Sequence, residues 1–93
     1  MIRTFGDKNT ERIFHREFVP GMPVEIVRAA QRKLEILNAA DRLSDLRTPP
    51  GNRLEKLSGD RKDHHSIRIN RQWRLCFRWH GTDAYDVEIV DYH

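Results

Sequence analysis

The chain has 93 residues, of which 17 are Lys or Arg, 14 are Asp or Glu and 38% are apolar, and its net charge is +3. This composition excludes a disordered chain, and the length predicts one domain spanning residues 1–93. The lone Cys76 excludes an internal disulfide, and no apolar run approaches the roughly 20 residues of a membrane-spanning helix. Residues 1–5 lack the apolar core of a signal peptide, so we expect a cytoplasmic protein without membrane contact.

The first elements in chain order are a short strand and a brief helix. The short strand is predicted at residues 1–5. Asp7 or Asn9 can cap the helix, because a short acidic or amide side chain accepts hydrogen bonds from first-turn amides. This helix is expected to reach Glu17 and to turn Ile13 and Phe14 towards the core.

A longer helix follows a break at residues 20–23, where Pro23 suits a first helical turn. Apolar residues then recur at three- and four-residue steps and form one stripe: Val27, Ala30, Leu34 and Leu37. That spacing predicts an amphipathic helix. The run Thr-Pro-Pro-Gly-Asn at 48–52 ends the helical region.

Beyond the proline run, the apolar period changes from 3.6 to two. Residues 66–70 and 73–79 alternate polar and apolar positions, as half-buried strands do, and 70–72 supply a tight turn. Residues 85–90 predict a last strand, and 53–57 are a candidate for an additional first one. The predicted fold is therefore α+β, with two or three N-terminal helices packed on one face of a twisted antiparallel sheet.

Alternation sorts this sheet into an apolar face and a charged face. The apolar face comprises Ile67, Ile69, Trp73, Leu75, Phe77, Trp79, Val87 and Ile89. Arg68, Arg74 and Arg78 point the other way, and like charges this close repel unless anions or acidic groups lie among them. Arg binds phosphate through two parallel hydrogen bonds, so this face is either a phosphate-binding surface or a solvated face balanced by Glu88 and Asp86.

The last three residues, Asp91, Tyr92 and His93, can move protons. Tyr and His both serve as general acids and bases, and His titrates near neutrality. We predict no metal site, because the adjacent His64 and His65 would point to opposite sides of a strand and no further ligand stands at metal-binding spacing. Neither a phosphate-binding glycine loop nor a nucleophile elbow occurs.

Three stretches resemble HigB toxins of the RelE/ParE superfamily. They are Pro-Pro-Gly-Asn-Arg-Leu-Glu-Lys-Leu-Ser-Gly-Asp-Arg at 49–61, Gln-Trp-Arg-Leu-Cys-Phe at 72–77 and Val-Glu-Ile-Val-Asp-Tyr-His at 87–93. The resemblance covers essentially the whole chain and is nearest to the GraT-like group. It implies a RelE-like fold and the toxin of a type II toxin–antitoxin system, a metal-free endoribonuclease that cleaves mRNA in the ribosomal A site.

The resemblance also implies partners. These are a cognate helix-turn-helix antitoxin similar to HigA, the ribosome with its 30S A site, and mRNA. Operator DNA would be bound only through the antitoxin. The resemblance implies no cofactor and no membrane partner.

Residue roles follow from the same resemblance. Arg74 matches the arginine that steadies the scissile phosphate, and Asp91, Tyr92 and His93 match C-terminal residues needed for activity. Further phosphate contacts are expected from five basic residues: Arg53, Lys56, Arg61, Arg68 and Arg78. Several relatives carry a His near the position of Glu55, a Lys near Ser58 and an Arg near Asn70. This chain lacks those groups, and Lys56, Arg61 or Arg68 are candidates to replace them.

In the implied reaction, the ribose 2′-hydroxyl attacks phosphorus and leaves a cyclic phosphate and a 5′-hydroxyl. Arg74 would stabilise the developing charge, with Arg68 or Arg61 beside it. His93 or Tyr92 would transfer protons with Asp91 orienting them, and Glu55 is a rival base.

Two other functions remain open at this point. One is a ParE-like inhibitor of DNA gyrase that does not cut RNA, because one fold can host both activities. The other is a non-catalytic RNA- or DNA-binding module, which would tolerate loss of His93.

Overall fold

The computed structural model describes residues 1–57 and 63–91. It confirms the predicted α+β arrangement, in which two helices pack with a four-stranded antiparallel sheet of order β1-β2-β3-β4. The elements are α1 Lys8–Phe14, α2 Val24–Ala39, β1 Glu55–Lys56, β2 His64–Arg68, β3 Trp73–His80 and β4 Asp83–Asp91. Two 3₁₀ turns, Leu43–Arg47 and Pro50–Asn52, connect the helices to the sheet.

Asp7 caps α1, as one of the two predicted candidates. Its carboxylate accepts hydrogen bonds from the backbone amide of Thr10 at 2.7 Å and from the Thr10 hydroxyl at 3.0 Å. The helix ends at Phe14 and not at the predicted Glu17. Arg16 explains the difference, because its φ of 61° is left-handed and incompatible with a continuing right-handed helix.

The long helix α2 confirms the predicted apolar stripe. Ala30, Leu34 and Leu37 are buried, and Val27 packs against the same core while remaining partly exposed. Pro23 occupies the N-cap and not the first turn, so the prediction for this residue is wrong by one position.

Residues 1–6 cover the outer edge of β4 and do not form the predicted strand. Ile2 and Phe5 make isolated parallel bridges to Ala84 and Val87. The backbone amides of Arg3 and Gly6 donate to the carbonyls of Ala84 and Val87, both at 2.8 Å. This pairing leaves less of the sheet edge exposed to other chains.

The second strand begins and ends two residues earlier than predicted. It spans His64–Arg68 and not 66–70, because Asn70 belongs to the following turn. The Asn70 side-chain oxygen accepts hydrogen bonds from the amides of Gln72 and Trp73, both at 2.8 Å. An Asn side chain that bonds to the backbone two residues ahead favours a turn over a strand.

The apolar face of the sheet packs on the helices as predicted. Its fully buried members include Ile67, Leu75, Phe77 and Val87. A register shift between β3 and β4 lies near Asp86, whose φ is 53°, and it lets both Ala84 and Val87 face the core. None of the helices described is long and apolar enough to cross a membrane.

Candidate nucleic-acid interface

A basic cavity of about 320 Å³ opens on the sheet face opposite the helices. Its lining residues come from the segment before β1, from β1 to β3 and from the β2–β3 turn: Arg53, Glu55, Arg68, Asn70, Arg71 and Arg74. Arg68 and Arg74 are directly opposed across β2 and β3. Four guanidinium groups around one carboxylate give the cavity a net positive charge, which favours a polyanion.

Arg74 is the most enclosed cation of this cavity, with only 7% of its surface exposed. Its Nε donates to the Ser66 hydroxyl at 2.8 Å, and its Nη2 donates to the carbonyls of Arg53 at 2.6 Å and Ser66 at 3.3 Å. A Glu55 carboxylate oxygen lies 4.0 Å from Nη2. Hydrogen bonds from a charged donor are strong, so they hold the guanidinium in one orientation.

The carbonyl of Arg53 reaches Arg74 because of the local backbone. Arg53 follows the second 3₁₀ turn and has a left-handed conformation, with φ of 45° and ψ of 60°. The preceding Asn52 is fully buried, and its side-chain nitrogen donates to the carbonyls of Leu46 at 3.1 Å and Thr48 at 3.2 Å. These bonds fix the segment that presents the Arg53 carbonyl.

Lys33 ties the same segment to α2. Its ammonium group donates to the side-chain oxygen of Asn52. Burial lowers the pKa of Lys33, and the charges of Arg32 and Arg68 lower it further. Lys33 of α2 and Arg68 of the cavity therefore repel each other.

Arg78 lies apart from this cluster, four positions along β3 from Arg74. Its Nε is 3.5 Å from a carboxylate oxygen of Asp86, and its guanidinium carbon lies 4.8 Å from the centre of the Tyr85 ring. The predicted group of three sheet arginines is therefore a close pair, Arg68 and Arg74, with Arg78 in a separate environment.

Lys56 and Arg61 do not extend the described cavity. Lys56 pairs with His65 in the sheet register, one position out of phase with Glu55. Successive residues of a strand point to opposite faces, so Lys56 and Glu55 diverge. Arg61 lies outside the described residues.

The one C-terminal candidate within the described residues, Asp91, does not face the cavity. Asp91 is opposite Trp73, whereas Arg74 is opposite Val90, so the Asp91 side chain belongs to the other face of the sheet. Its carboxylate accepts a hydrogen bond from the Gln72 side chain at 3.1 Å. Tyr92 and His93 lie outside the described residues.

Two lining residues, Asn70 and Arg71, were not among the predicted binding residues, and neither was Ser66, which anchors Arg74 without lining the cavity. Ser66 occupies a polar position of the alternating pattern, which was a usable signal for its face. Arg71 lies in a turn, where alternation predicts no direction. In the described part of the chain, no group of three or more His, Cys, Asp or Glu residues is arranged to hold a metal ion.

Similarity to known proteins decides the family. A family model for HigB-like toxins, the RelE-like toxins of type II toxin–antitoxin system HigB, matches residues 3–93. The chain belongs to the HigB-like toxin family. Toxin HigB-1 of Vibrio cholerae serotype O1 is 57% identical over 80 residues, which cover 85% of this chain and 84% of that toxin. Endoribonuclease HigB of Proteus vulgaris is 29% identical over 93 residues, the full length of both chains.

This HigB-like toxin is the toxin component of a type II toxin–antitoxin system, so its partner is an antitoxin. The predicted resemblance and the RelE-like fold are both confirmed at the level of the family. Its place in the GraT-like group stays a prediction.

Proposed function

We propose that this HigB-like toxin is an endoribonuclease that cleaves mRNA in the ribosomal A site without a metal ion. The observation that carries the proposal is the enclosed Arg74 guanidinium, anchored by three hydrogen bonds in a cavity with three further arginines. The name of the Proteus vulgaris relative, Endoribonuclease HigB, supports the same activity.

The reaction needs stabilisation of the negative charge that develops on the phosphoryl oxygens. Arg74 supplies it, because a donor that is already oriented acts without reorganising. Arg53, Arg68 and Arg71 line the remainder of the cavity and bind the neighbouring phosphates. The 2′-oxygen forms a bond to phosphorus, and the bond from phosphorus to the 5′-oxygen breaks.

Glu55 is the acceptor of the 2′ proton in this proposal. It is the carboxylate of the cavity lining and lies 4.0 Å from Nη2 of Arg74, so it can reach a ribose whose phosphate contacts that arginine. More than half of its side-chain surface is exposed, which leaves it accessible to RNA. His93 or Tyr92 donates the proton that the leaving 5′-oxygen takes up.

Asp91 acts as a positioning residue. Its side chain lies on the Trp73 face and bonds to Gln72, so it acts on the end of β4 and not on the phosphate at Arg74. Lys56 and Arg78, which lie outside the cavity, bind more distant phosphates, and Arg61 stays a predicted phosphate contact.

The partners that we propose for this toxin are the ribosome with its 30S A site, mRNA and a HigA-like helix-turn-helix antitoxin. Operator DNA is reached only through that antitoxin. The site of action is the cytoplasm, where ribosomes and mRNA are present.

The direct test combines purified protein, programmed ribosomes and end-labelled mRNA. We expect a cut in the A-site codon that requires ribosomes, disappears when the attacking 2′-hydroxyl is replaced by hydrogen, and is slowed by about 10²- to 10³-fold in Arg74→Ala. A phosphorothioate at the scissile position should slow cleavage equally in Mg²⁺ and Mn²⁺ if no metal contacts that oxygen. Arg78→Ala, on the same strand but outside the cavity, is the comparison and should lose much less activity than Arg74→Ala.

A gyrase supercoiling assay separates the rival function. Intact mRNA on programmed ribosomes, together with inhibited supercoiling by the same preparation, would overturn the nuclease proposal in favour of gyrase inhibition.

A further inference from the structure

Ser66 lies at the centre of the charged sheet face, between the two groups that do the proposed chemistry. It is fully buried and pairs with Glu55 on one side and Cys76 on the other. Arg74 is its diagonal neighbour on β3, and the Arg74 side chain crosses towards it to place Nε 2.8 Å from the Ser66 hydroxyl. Diagonal neighbours in a sheet are within reach of long side chains such as arginine.

We propose that Ser66 is a positioning residue that fixes the orientation of the Arg74 guanidinium for the scissile phosphate. This inference rests on the proposed nuclease function and assigns a role to a residue that does not touch RNA itself. Ser66 provides two acceptors, its hydroxyl to Nε and its carbonyl to Nη2, on one edge of the planar group. The Arg53 carbonyl provides the third, at 2.6 Å from Nη2.

Nε and Nη2 of Arg74 donate to these three acceptors. Together the bonds fix both the plane of the guanidinium and its position. Without them, an arginine samples many rotamers, and ordering it at the moment of reaction costs conformational entropy. The Ser66 carbonyl is part of the backbone, and the Arg53 carbonyl comes from a separate loop. The Ser66 hydroxyl is therefore the one anchor among the three that a side-chain substitution removes directly.

The size of Ser66 matters along with its hydroxyl. Because Ser66 is fully buried beside the Arg74 side chain, a residue much larger than Ser or Thr would displace the guanidinium from the cavity. A small hydroxyl residue meets both requirements, whereas Ala meets only the steric one. Ser66→Ala therefore isolates the hydrogen bond.

The test measures single-turnover cleavage of mRNA on programmed ribosomes at increasing toxin concentration. Ser66→Ala should lower the maximal rate by about 10- to 100-fold, since small misplacements of a catalytic group have effects of this order. The half-saturating concentration should change much less. Ser66→Thr, which keeps a hydroxyl at the same carbon, should recover much of the rate, whereas the nearly isosteric Ser66→Cys should resemble Ser66→Ala.

A double-substitution cycle decides whether Ser66 acts through Arg74. In the Arg74→Ala background, Ser66→Ala should cause no further loss of rate. Ile67→Val is the matched control, because it perturbs the next residue of β2 on the opposite face and should cleave at the parent rate. Circular dichroism and thermal unfolding establish that each variant is folded, and Ser66→Cys replaces Ser66→Ala in the cycle if the alanine variant does not fold.

Parent-like cleavage by Ser66→Ala, or a full additional loss in the Arg74→Ala background, overturns the positioning role and leaves the nuclease function intact. The nuclease function itself is tested separately, by comparing mRNA cleavage by the parent protein and by Arg74→Ala.

Discussion

Arg68 and Arg74 face each other directly across β2 and β3. Like charges in directly opposed positions of a sheet destabilise it, so the fold carries repulsion at its charged face. Arg74 is held by Ser66 and Arg53, and Arg68 donates from Nε to the Asn70 carbonyl at 3.1 Å. The pair is thus organised in the folded protein and is stabilised further when a phosphate lies between the two groups.

Replacing Arg68 should increase the stability of the protein and decrease its activity. Arg68→Gln should raise the free energy of unfolding by up to about 1 kcal/mol at low salt, the range of a cross-strand pair. The same change should weaken mRNA cleavage by removing a phosphate contact. Urea unfolding and ribosome-dependent cleavage measure the two effects. Arg78→Gln is the control and should not stabilise the protein, because Arg78 already lies beside Asp86 and Tyr85. Equal destabilisation by both substitutions would contradict the repulsion argument.

The assignment of Glu55 as the base makes a sharp kinetic prediction. Glu55→Gln keeps the size of the side chain and removes its ability to accept a proton. The single-turnover rate should fall by about 10²- to 10⁴-fold, the usual contribution of a general base. Asp91→Asn should cost less, because an amide oxygen can still accept the hydrogen bond from Gln72. A parent-like rate for Glu55→Gln would move the base to His93 or Tyr92.

Local patterning predicted the parts of the fold that depend on local physics. The stripe from Ala30 to Leu37 and the alternation through β3 each follow from the need to bury one face of an element. The Asp7 cap is similarly local. What alternation could not predict is the register shift beside Asp86, which depends on how two strands meet.

The geometry of the candidate site depends on contacts between residues that are distant in the sequence, and no local pattern predicts such contacts. Arg74 was predicted from its strand and from family resemblance, but its anchor at the Arg53 carbonyl needs a left-handed residue 21 positions away in the chain. Asp91 was assigned to the site with Arg74 from family resemblance. The register places them one residue out of phase, and phase between strands depends on tertiary pairing.

Asn52 should influence both stability and Arg74, the proposed catalytic arginine. Asn52→Ala removes a buried side chain that bonds to two carbonyls and to Lys33, and leaving buried acceptors unsatisfied costs about 1–3 kcal/mol. The Arg53 carbonyl should then lose its fixed position, so cleavage should fall even where the variant is fully folded. Asp7→Ala is the matched control, since losing a helix cap costs about 0.5–2 kcal/mol without touching the cavity. If both variants cleaved mRNA at the same rate, Asn52 would have no role in positioning Arg74.

Acid should loosen the N-terminal segment first. Asp83 lies 3.2 Å from Nε of Arg3 and 3.4 Å from the N-terminal ammonium of Met1. Burial raises the pKa of Asp83, but the hydrogen bonds and positive charges of these two groups outweigh it and bring the pKa below its ordinary value of 3.8. A carboxyl with a depressed pKa contributes stability above its unfolded-state pKa and loses it as the pH falls through the folded-state value. Below about pH 4, the free energy of unfolding should therefore decrease more steeply in the parent protein than in Asp83→Asn.

Hydrogen exchange locates the effect, because the amide of Ala84 donates to the Met1 carbonyl at 3.0 Å and the amide of Arg3 donates to the Ala84 carbonyl. Both amides should lose protection on acidification before those of β3 do. Arg3→Gln, which removes the principal partner of Asp83, should flatten the pH dependence in the same direction as Asp83→Asn. If both variants instead follow the parent curve, the acid sensitivity arises elsewhere and the ion pairs at Asp83 do not stabilise the edge of β4.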